Sequence, residues 1–344
     1  MLNYKAFQTV LLLLACLSSG FAQQTERCAS CHRGISLLQP LTDMGQASQM
    51  PGHNQALDNH PNLTFTVGQY HYSVITRNGK TTYTVSDGKH SISVPVLWAM
   101  GTPAQTWLLV YGDHWYASMV SYYPKFGLDV TLGDKGTHPT SLVDAIGRPL
   151  SKDGVLTCFE CHSSNAVVHD KLHLSTYHPG LTCARCHTDL DAHLAEMQKT
   201  GIPTHPPPNL RKMSSEDISS FCGRCHRTFA TVVRRGWRGP NNVRFQPYRL
   251  ALSKCFSGTD PRISCIACHD PHVEVARSYK YYDQKCLACH SPSMSKLPPH
   301  AKVCPVSTSH CVSCHMPLVR YPGGHFYYRD HDIRIVKSKG SYPY

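Results

Sequence analysis

Seven copies of Cys-x-x-Cys-His run through this 344-residue chain, at Cys28/Cys31/His32, Cys158/Cys161/His162, Cys183/Cys186/His187, Cys222/Cys225/His226, Cys265/Cys268/His269, Cys286/Cys289/His290 and Cys311/Cys314/His315. Cysteines at i and i+3 share one side of a helical turn, so both thiols can add to the vinyl groups of one haem while the next imidazole binds iron. The spacing is that of covalent c-type haem attachment. Paired Cys-x-x-Cys units also build zinc knuckles. Zinc, however, has no use for a histidine directly after the second cysteine, and here every unit has one. A disulfide framework fails too, because the motifs consume fourteen of the 17 cysteines and leave only Cys16, Cys255 and Cys304. The expectation is seven covalent haem c groups, with the fourteen motif cysteines as thioethers and the seven motif histidines as proximal iron ligands.

The N-terminus fits export. Lys5, an apolar stretch through Leu17 and the small residues ending at Ala22 form a secretory signal over residues 1–22, too short for a permanent bilayer anchor. Leu13-Leu14-Ala15-Cys16 also resembles a lipoprotein processing box, which would make Cys16 a lipidated terminus. No later apolar run reaches membrane-spanning length, so no transmembrane segment is expected in the mature chain. A periplasmic or extracellular setting follows, and an oxidising one favours a disulfide between Cys255 and Cys304.

The formal charge of +12 would ordinarily invite an acidic partner. Seven haems, each with two propionates against one ferric net charge, would add roughly −7. Residues 218–259 carry Arg224, Arg227, Arg234, Arg235, Arg238, Arg244, Arg249 and Lys254 with no acid among them. In an exported chain, guanidinium forks paired with propionates explain this stretch better than a nucleic-acid face does.

The motifs are unevenly spread: one at 28–32, then none until Cys158, then six before residue 316. The gap alternates apolar and polar residues around Asn78-Gly79, Asp87-Gly88 and Gly112-Asp113, which are hairpin signals. This predicts a small haem-free antiparallel β-meander at 62–132, with Trp98, Trp107, Trp115, Tyr116, Tyr122 and Tyr123 as its core and flank. The remainder reads as a mostly irregular and α-helical multihaem cytochrome c core with little regular structure. Ser214-Ser215-Glu216-Asp217 is a capping pattern, so the Cys222 motif is expected to end a short helix. The organisation expected is 1–22 signal, 23–61 first-motif segment, 62–132 β-rich domain and 133–344 six-haem domain.

Sixteen histidines lie outside the motifs. His272, in Cys-His-Asp-Pro-His, stands first as a distal ligand, because the proline-stiffened spacer directs it away from its own iron and toward a neighbouring one. His193, His325 and His331 follow, then His138 and His60 in His-Pro contexts, then His169, His173 and His310. Met44 and Met316 are rival ligands, though abundant histidine favours bis-histidine coordination and low potentials.

With Cys-His-Asp-Pro-His at 268–272, Cys-His-Met-Pro at 314–317 and the tail from His325 to Arg334, residues 136–336 resemble the multihaem cytochrome c superfamily related to pentahaem nitrite reductases and hydroxylamine oxidoreductase. The resemblance implies closely packed, mostly bis-histidine haems with His331 as a distal ligand. The lysine-bearing Cys-x-x-Cys-Lys motif characteristic of the nitrite reductases is missing, which counts against nitrite reduction. Three functions stay open: electron transfer between redox-protein donors and acceptors, an oxidoreductase whose open haem acts on a small nitrogen or sulfur compound, and a homo-oligomer or filament that continues the haem chain. No catalytic side chain is assigned, and the balance favours an electron carrier over an enzyme.

Overall fold

The computed structural model describes residues 27–204, 206–291 and 303–336. The expected signal segment and Cys16 lie outside them. Among the described residues no helix is long and apolar enough to cross a membrane. The chain divides into two units, Met1–Pro203 with His272–Glu274, and Thr204–Pro271 with Val275–Tyr344. The division thus falls some way beyond the expected boundary at 132/133.

The first unit is built on two antiparallel sheets. One runs β2 (Asn62–Val67), β3 (Tyr70–Arg77), β4 (Lys80–Ser86) and β5 (Ser91–Pro95) in chain order; the other runs β1 (Ser48–Gln49), β6 (Trp98–Met100), β7 (Thr106–Tyr111), β8 (His114–Ser118) and β11 (Gly147–Leu150). A short hairpin, β9 (Val120–Tyr123) with β10 (Gly127–Val130), lies beside them, and two further two-residue ladders pair Ser163–Ser164 with His178–Pro179 and Val167–Val168 with Lys171–Leu172. The β-rich part therefore takes strands from both sides of the expected 62–132 interval. Asn78 and Gly79 both adopt positive φ, 51° and 70°, as the tight β3–β4 turn requires. The Asp87-Gly88 signal opens into a longer loop, because the Asp87 carboxylate accepts the backbone N–H groups of Lys89 and His90.

Alternation places Tyr70, Tyr72 and Val74 of β3 and Tyr83 and Val85 of β4 on one face, over Trp107 and Leu109 of β7. Trp107 is fully buried, with its ring 6.1 Å from that of Tyr83. Trp98 and Trp115 do not belong to that core. They face the helix Lys152–His162, where Phe159 meets both edge-on at 5.7 and 5.9 Å and Tyr177 meets Phe159 at 5.6 Å. The aromatic excess of the second sheet thus anchors the helix that ends in Cys158, Cys161 and His162.

The second unit is made of short helices and loops. Helix Ser215–His226 begins as expected, with Ser214 Oγ accepting the Asp217 N–H. Among the unit's described residues the buried apolar ones are sparse: Ile218, Val232, Val243, Phe245, Leu250 and Tyr321. Arg249 is buried against Asp330 in a two-pronged contact of 2.8 and 2.9 Å, with Asp332 at 3.3 Å, and Arg334 reaches Asp330 at 2.7 Å. This corrects the propionate assignment for Arg249, whose fork is already occupied. Arg224 and Arg244 stack over the rings of Phe221 and Phe245.

Candidate functional site

Each Cys-x-x-Cys forms a helical turn, in three cases the last turn of a longer helix: Lys152–His162, Ser215–His226 and Tyr279–His290. In the short turns, the N–H of His32, His187 and His269 each donates to the carbonyl of the first cysteine of its motif at 2.8 Å. Both thiols of a motif therefore start from one side of a turn.

Cys31 is exposed, Cys186 and Cys225 are half-buried, and none of the three is in a disulfide. Cys28, Cys158, Cys161, Cys183, Cys222, Cys265, Cys268, Cys286, Cys289 and Cys311 are half-buried and Cys314 is exposed, and none of these is in a disulfide either. A thiol is the reactant that adds to a vinyl group, whereas a disulfide would first have to be reduced.

The fold then brings motifs together in pairs. In the first unit, segment 39–49 packs against 177–182: Gln39 Nε2 donates to Leu181 O at 2.7 Å, Leu181 N to Met44 O at 3.0 Å, and Gly180 N to Ser48 Oγ at 3.0 Å. Gly180 lies against the carbonyl of Gly45, where a Cβ would collide. This closure sets Cys28 in hydrogen-bond contact with Cys183, and burial followed by that neighbour pushes the Cys28 thiol up. In the second unit, Ser215 Oγ holds the carbonyls of Asp260 and Ile263, just before Cys265, and Cys222 contacts Cys265. Asp283, inside helix Tyr279–His290, accepts the N–H groups of His310 and Cys311 at 2.7 and 2.8 Å and so fixes the start of the turn Cys311–His315. Cys286 there contacts Cys311, and its thiol is pushed up to about 12, by burial first and then by Cys311.

The histidines show a second regularity. His187 and His272 have ring centroids 6.2 Å apart and planes within 6°. His269 and His331 are also 6.2 Å apart. An imidazole nitrogen sits about 2 Å from a first-row metal ion, so two rings on opposite sides of one ion have centroids roughly 6 Å apart. Both spacings fit a metal between the rings. His331 Nδ1 meets the carbonyl of Arg329 at 2.9 Å and His269 Nδ1 the hydroxyl of Tyr282 at 3.2 Å, which leaves Nε2 as the ligating nitrogen in each. Burial, then the charge of His269, lowers His331 to about 4; burial, then His272 and His32, lowers His187. Burial thus favours the neutral form of both rings, the form that ligates. His331 is held by the Arg249–Asp330–Arg334 network on its flanks and by Ser253 Oγ, which donates to its carbonyl at 2.7 Å. His272 belongs to the first unit by packing, as does Glu274, whose carboxylate accepts the Asp43 N–H.

Among the remaining motif histidines, His162 Nδ1 meets Ala47 O at 2.8 Å and His315 Nδ1 meets Arg334 O at 3.1 Å, the same carbonyl-fixed arrangement. His32 and His226 are exposed, and His290 is half-buried. Of the distal candidates, His60 stacks on Tyr122 at 5.1 Å with Nδ1 on Ala56 O, at the edge of the β-core. His138, His169 and His173 are exposed, and His169 sits in a turn at φ 48°. His310 stacks on Tyr279 at 4.8 Å. His193 is half-buried with Nδ1 lacking a hydrogen-bond partner among the described residues, and His325 is half-buried between strands Leu318–Arg320 and Tyr327–Arg329. His178, outside the expected set, is half-buried with Nδ1 on Pro179 O at 2.9 Å and lies opposite Ser164, two residues after His162. Its signal was the same His-Pro context that singled out His60 and His138.

Cys255 and Cys304 are both free thiols, so the expected disulfide is not formed in this structure. Cys255 lies near Cys268 and Cys289 and is pushed up chiefly by burial; the Cys304 thiol is drawn down by the N–H groups of Ser307 and Val306. Each side chain is engaged in a different neighbourhood.

Among the described residues, no three His, Cys, Asp or Glu side chains converge on one point. A haem iron takes four ligands from the macrocycle and asks the protein for two.

No family model matches the chain, and no curated protein matches it. Among solved structures, the crystal structure of the outer cell wall cytochrome OcwA is similar over 58% of this chain and 36% of its own length, at 17% identity and a TM-score of 0.29. The chain spans about a third of that protein's length.

Proposed function

We propose that this chain is an exported heptahaem c-type cytochrome that transfers electrons between redox proteins in the periplasm or outside the cell. The observation that carries the reading is the pair of imidazole couples, His187–His272 and His269–His331, each joining a motif histidine to a non-motif histidine at the spacing one iron requires. Seven helical Cys-x-x-Cys turns supply the thiols; each thiol adds across a vinyl double bond, sulfur to one carbon and hydrogen to the other, with no oxidant needed. Bound haem supplies one-electron chemistry at iron, at potentials that bis-histidine ligation keeps low. The chain's own residues orient the imidazoles, hold them neutral and bury them. Intact-mass measurement of the exported protein should show seven haem increments on the chain lacking residues 1–22. Five or fewer would overturn the reading. A ferric spectrum with a high-spin component would move the function from electron carriage toward an oxidoreductase with an open iron.

A further inference from the structure

We infer that the four haem sites of the second unit form one unbranched relay in chain order, Cys222/Cys225 to Cys265/Cys268 to Cys286/Cys289 to Cys311/Cys314, with its two ends at the surface. The inference rests on the heptahaem reading and adds an order to it, one that the spacing of the motifs along the sequence leaves unset.

Three contacts establish the order. Turn Cys265–Cys268 packs on helix Ser215–His226, the Ser215 hydroxyl bridges to the carbonyls leading into Cys265, and Cys222 and Cys265 are in side-chain contact. The same turn also packs on helix Tyr279–His290, with Cys268 among the neighbours of Cys286. That helix in turn packs on Cys311–His315, tied through Asp283, with Cys286 and Cys311 in contact. A thioether sulfur marks one edge of its macrocycle. Thiols in contact across two motifs therefore place two macrocycle edges side by side. The first cysteine of each motif makes the contact at 222–265 and at 286–311, while the middle link runs through Cys268, a second cysteine. The relay thus consists of two like couples joined by a different junction.

Exposure marks the two ends. His226 at one end and Cys314 at the other are exposed; Cys222, Cys225 and Cys311 are half-buried like the cysteines of the two inner motifs, where His269 and His290 are half-buried too. Electrons can enter or leave at the terminal sites, and the inner two are reached through them.

Iron positions in the full-length holoprotein, from cryo-electron microscopy or anomalous scattering, test the order. The irons nearest the Cys265/Cys268 site should be those of the Cys222/Cys225 and Cys286/Cys289 sites, and the Cys311/Cys314 iron should neighbour only the last of these within the unit. Seven irons with the Cys222 and Cys311 sites adjacent, or with one site touching three others of the unit, would overturn the relay and leave the heptahaem reading intact; fewer than six covalent haems would remove the reading itself. Ferric paramagnetic resonance of the C222S/C225S double variant gives a second measure. It should uncouple the Cys265 iron on one side and leave the coupled signal of the Cys286 and Cys311 sites unchanged; loss of that coupled signal would overturn the order.

Discussion

The β-rich part of the first unit and the helical second unit solve the same problem, burying enough apolar surface to hold a chain together, with different materials. Between Ser48 and Leu150 the protein supplies its own core: Tyr72, Val74, Tyr83, Val85, Trp107 and Leu109 pack across two sheets and are nearly inaccessible to water. Among its described residues the second unit buries few apolar side chains, and the largest fully buried side chain is Arg249, locked in an ionic network. On the proposed haem reading, a region that binds large flat cofactors can leave the apolar core to them and use charge to fix positions. The first unit shows both modes, since Trp98 and Trp115 leave the meander core to brace the helix of the Cys158 motif.

The comparison breaks most sharply at one residue in each region. Trp107→Ala empties the centre of the β-core and should cost about 3–5 kcal/mol of stability with the haem spectra unchanged. Arg249→Ala should cost a similar ~3–5 kcal/mol, because Asp330 is left charged and buried without its main partner, and it should also release His331 and raise a high-spin ferric signal. Denaturant titration followed by both circular dichroism and Soret absorption separates the two. If Arg249→Ala lost stability with no spectral change, the network would be structural only.

What could be read from the sequence follows the same divide. The meander was legible because period-two alternation and Asn78-Gly79 are local signals, and only the strands that join from outside, Ser48–Gln49 and Gly147–Leu150, were hidden by their shortness. The paired cysteines were legible as helical turns from their spacing. The histidine couples were not, since two distant rings meet only through tertiary packing: His272 and His331 stood out by motif context and each pairs with a motif histidine, while His138, His169 and His173 looked comparable and are exposed. Arg249 misled because a guanidinium fork suits a propionate and an aspartate equally, and only the fold shows Asp330 already there. Asp283 gave no sign at all, because an acid in a helix acquires the role of capping Cys311 only when the two turns meet.

The ligand couples offer a smaller and more local test. On the proposed heptahaem reading, His272→Ala and His331→Ala should each leave the covalent haem count of the parent unchanged, because distal ligands form no thioether, yet each should open one iron. The iron opened by His272→Ala should belong to the Cys183/Cys186 site of the first unit, and that opened by His331→Ala to the Cys265/Cys268 site of the second. Magnetic circular dichroism detects the high-spin component, and adding imidazole should remove it. A variant that stayed wholly low-spin with no replacement ligand would strike that histidine from its couple.

The smallest expected effect is a difference in sign between two buried aspartates under acid. At Asp330 burial alone would raise the carboxyl, but the hydrogen bonds and charge of Arg249, with Arg334 behind them, win and hold it below the usual value of 3.8. Its contribution to stability is complete above that value and is lost as pH falls below it toward the folded-state pKa. At Asp134 in the first unit burial also raises the carboxyl, and Arg148, 3.3 Å away and half-exposed, does not offset it. The folded state therefore takes up that proton more readily than the unfolded one, and the cost of keeping Asp134 ionised is relieved as pH falls through its raised pKa toward 3.8. Asparagine at either position removes the titration. Relative to Asp330→Asn, the parent protein should lose stability on acidification; relative to Asp134→Asn, it should gain. Urea titrations of the three holoproteins between about pH 6 and 3 read both slopes, and parallel curves for all three would mean that neither carboxyl differs between the folded and unfolded chain.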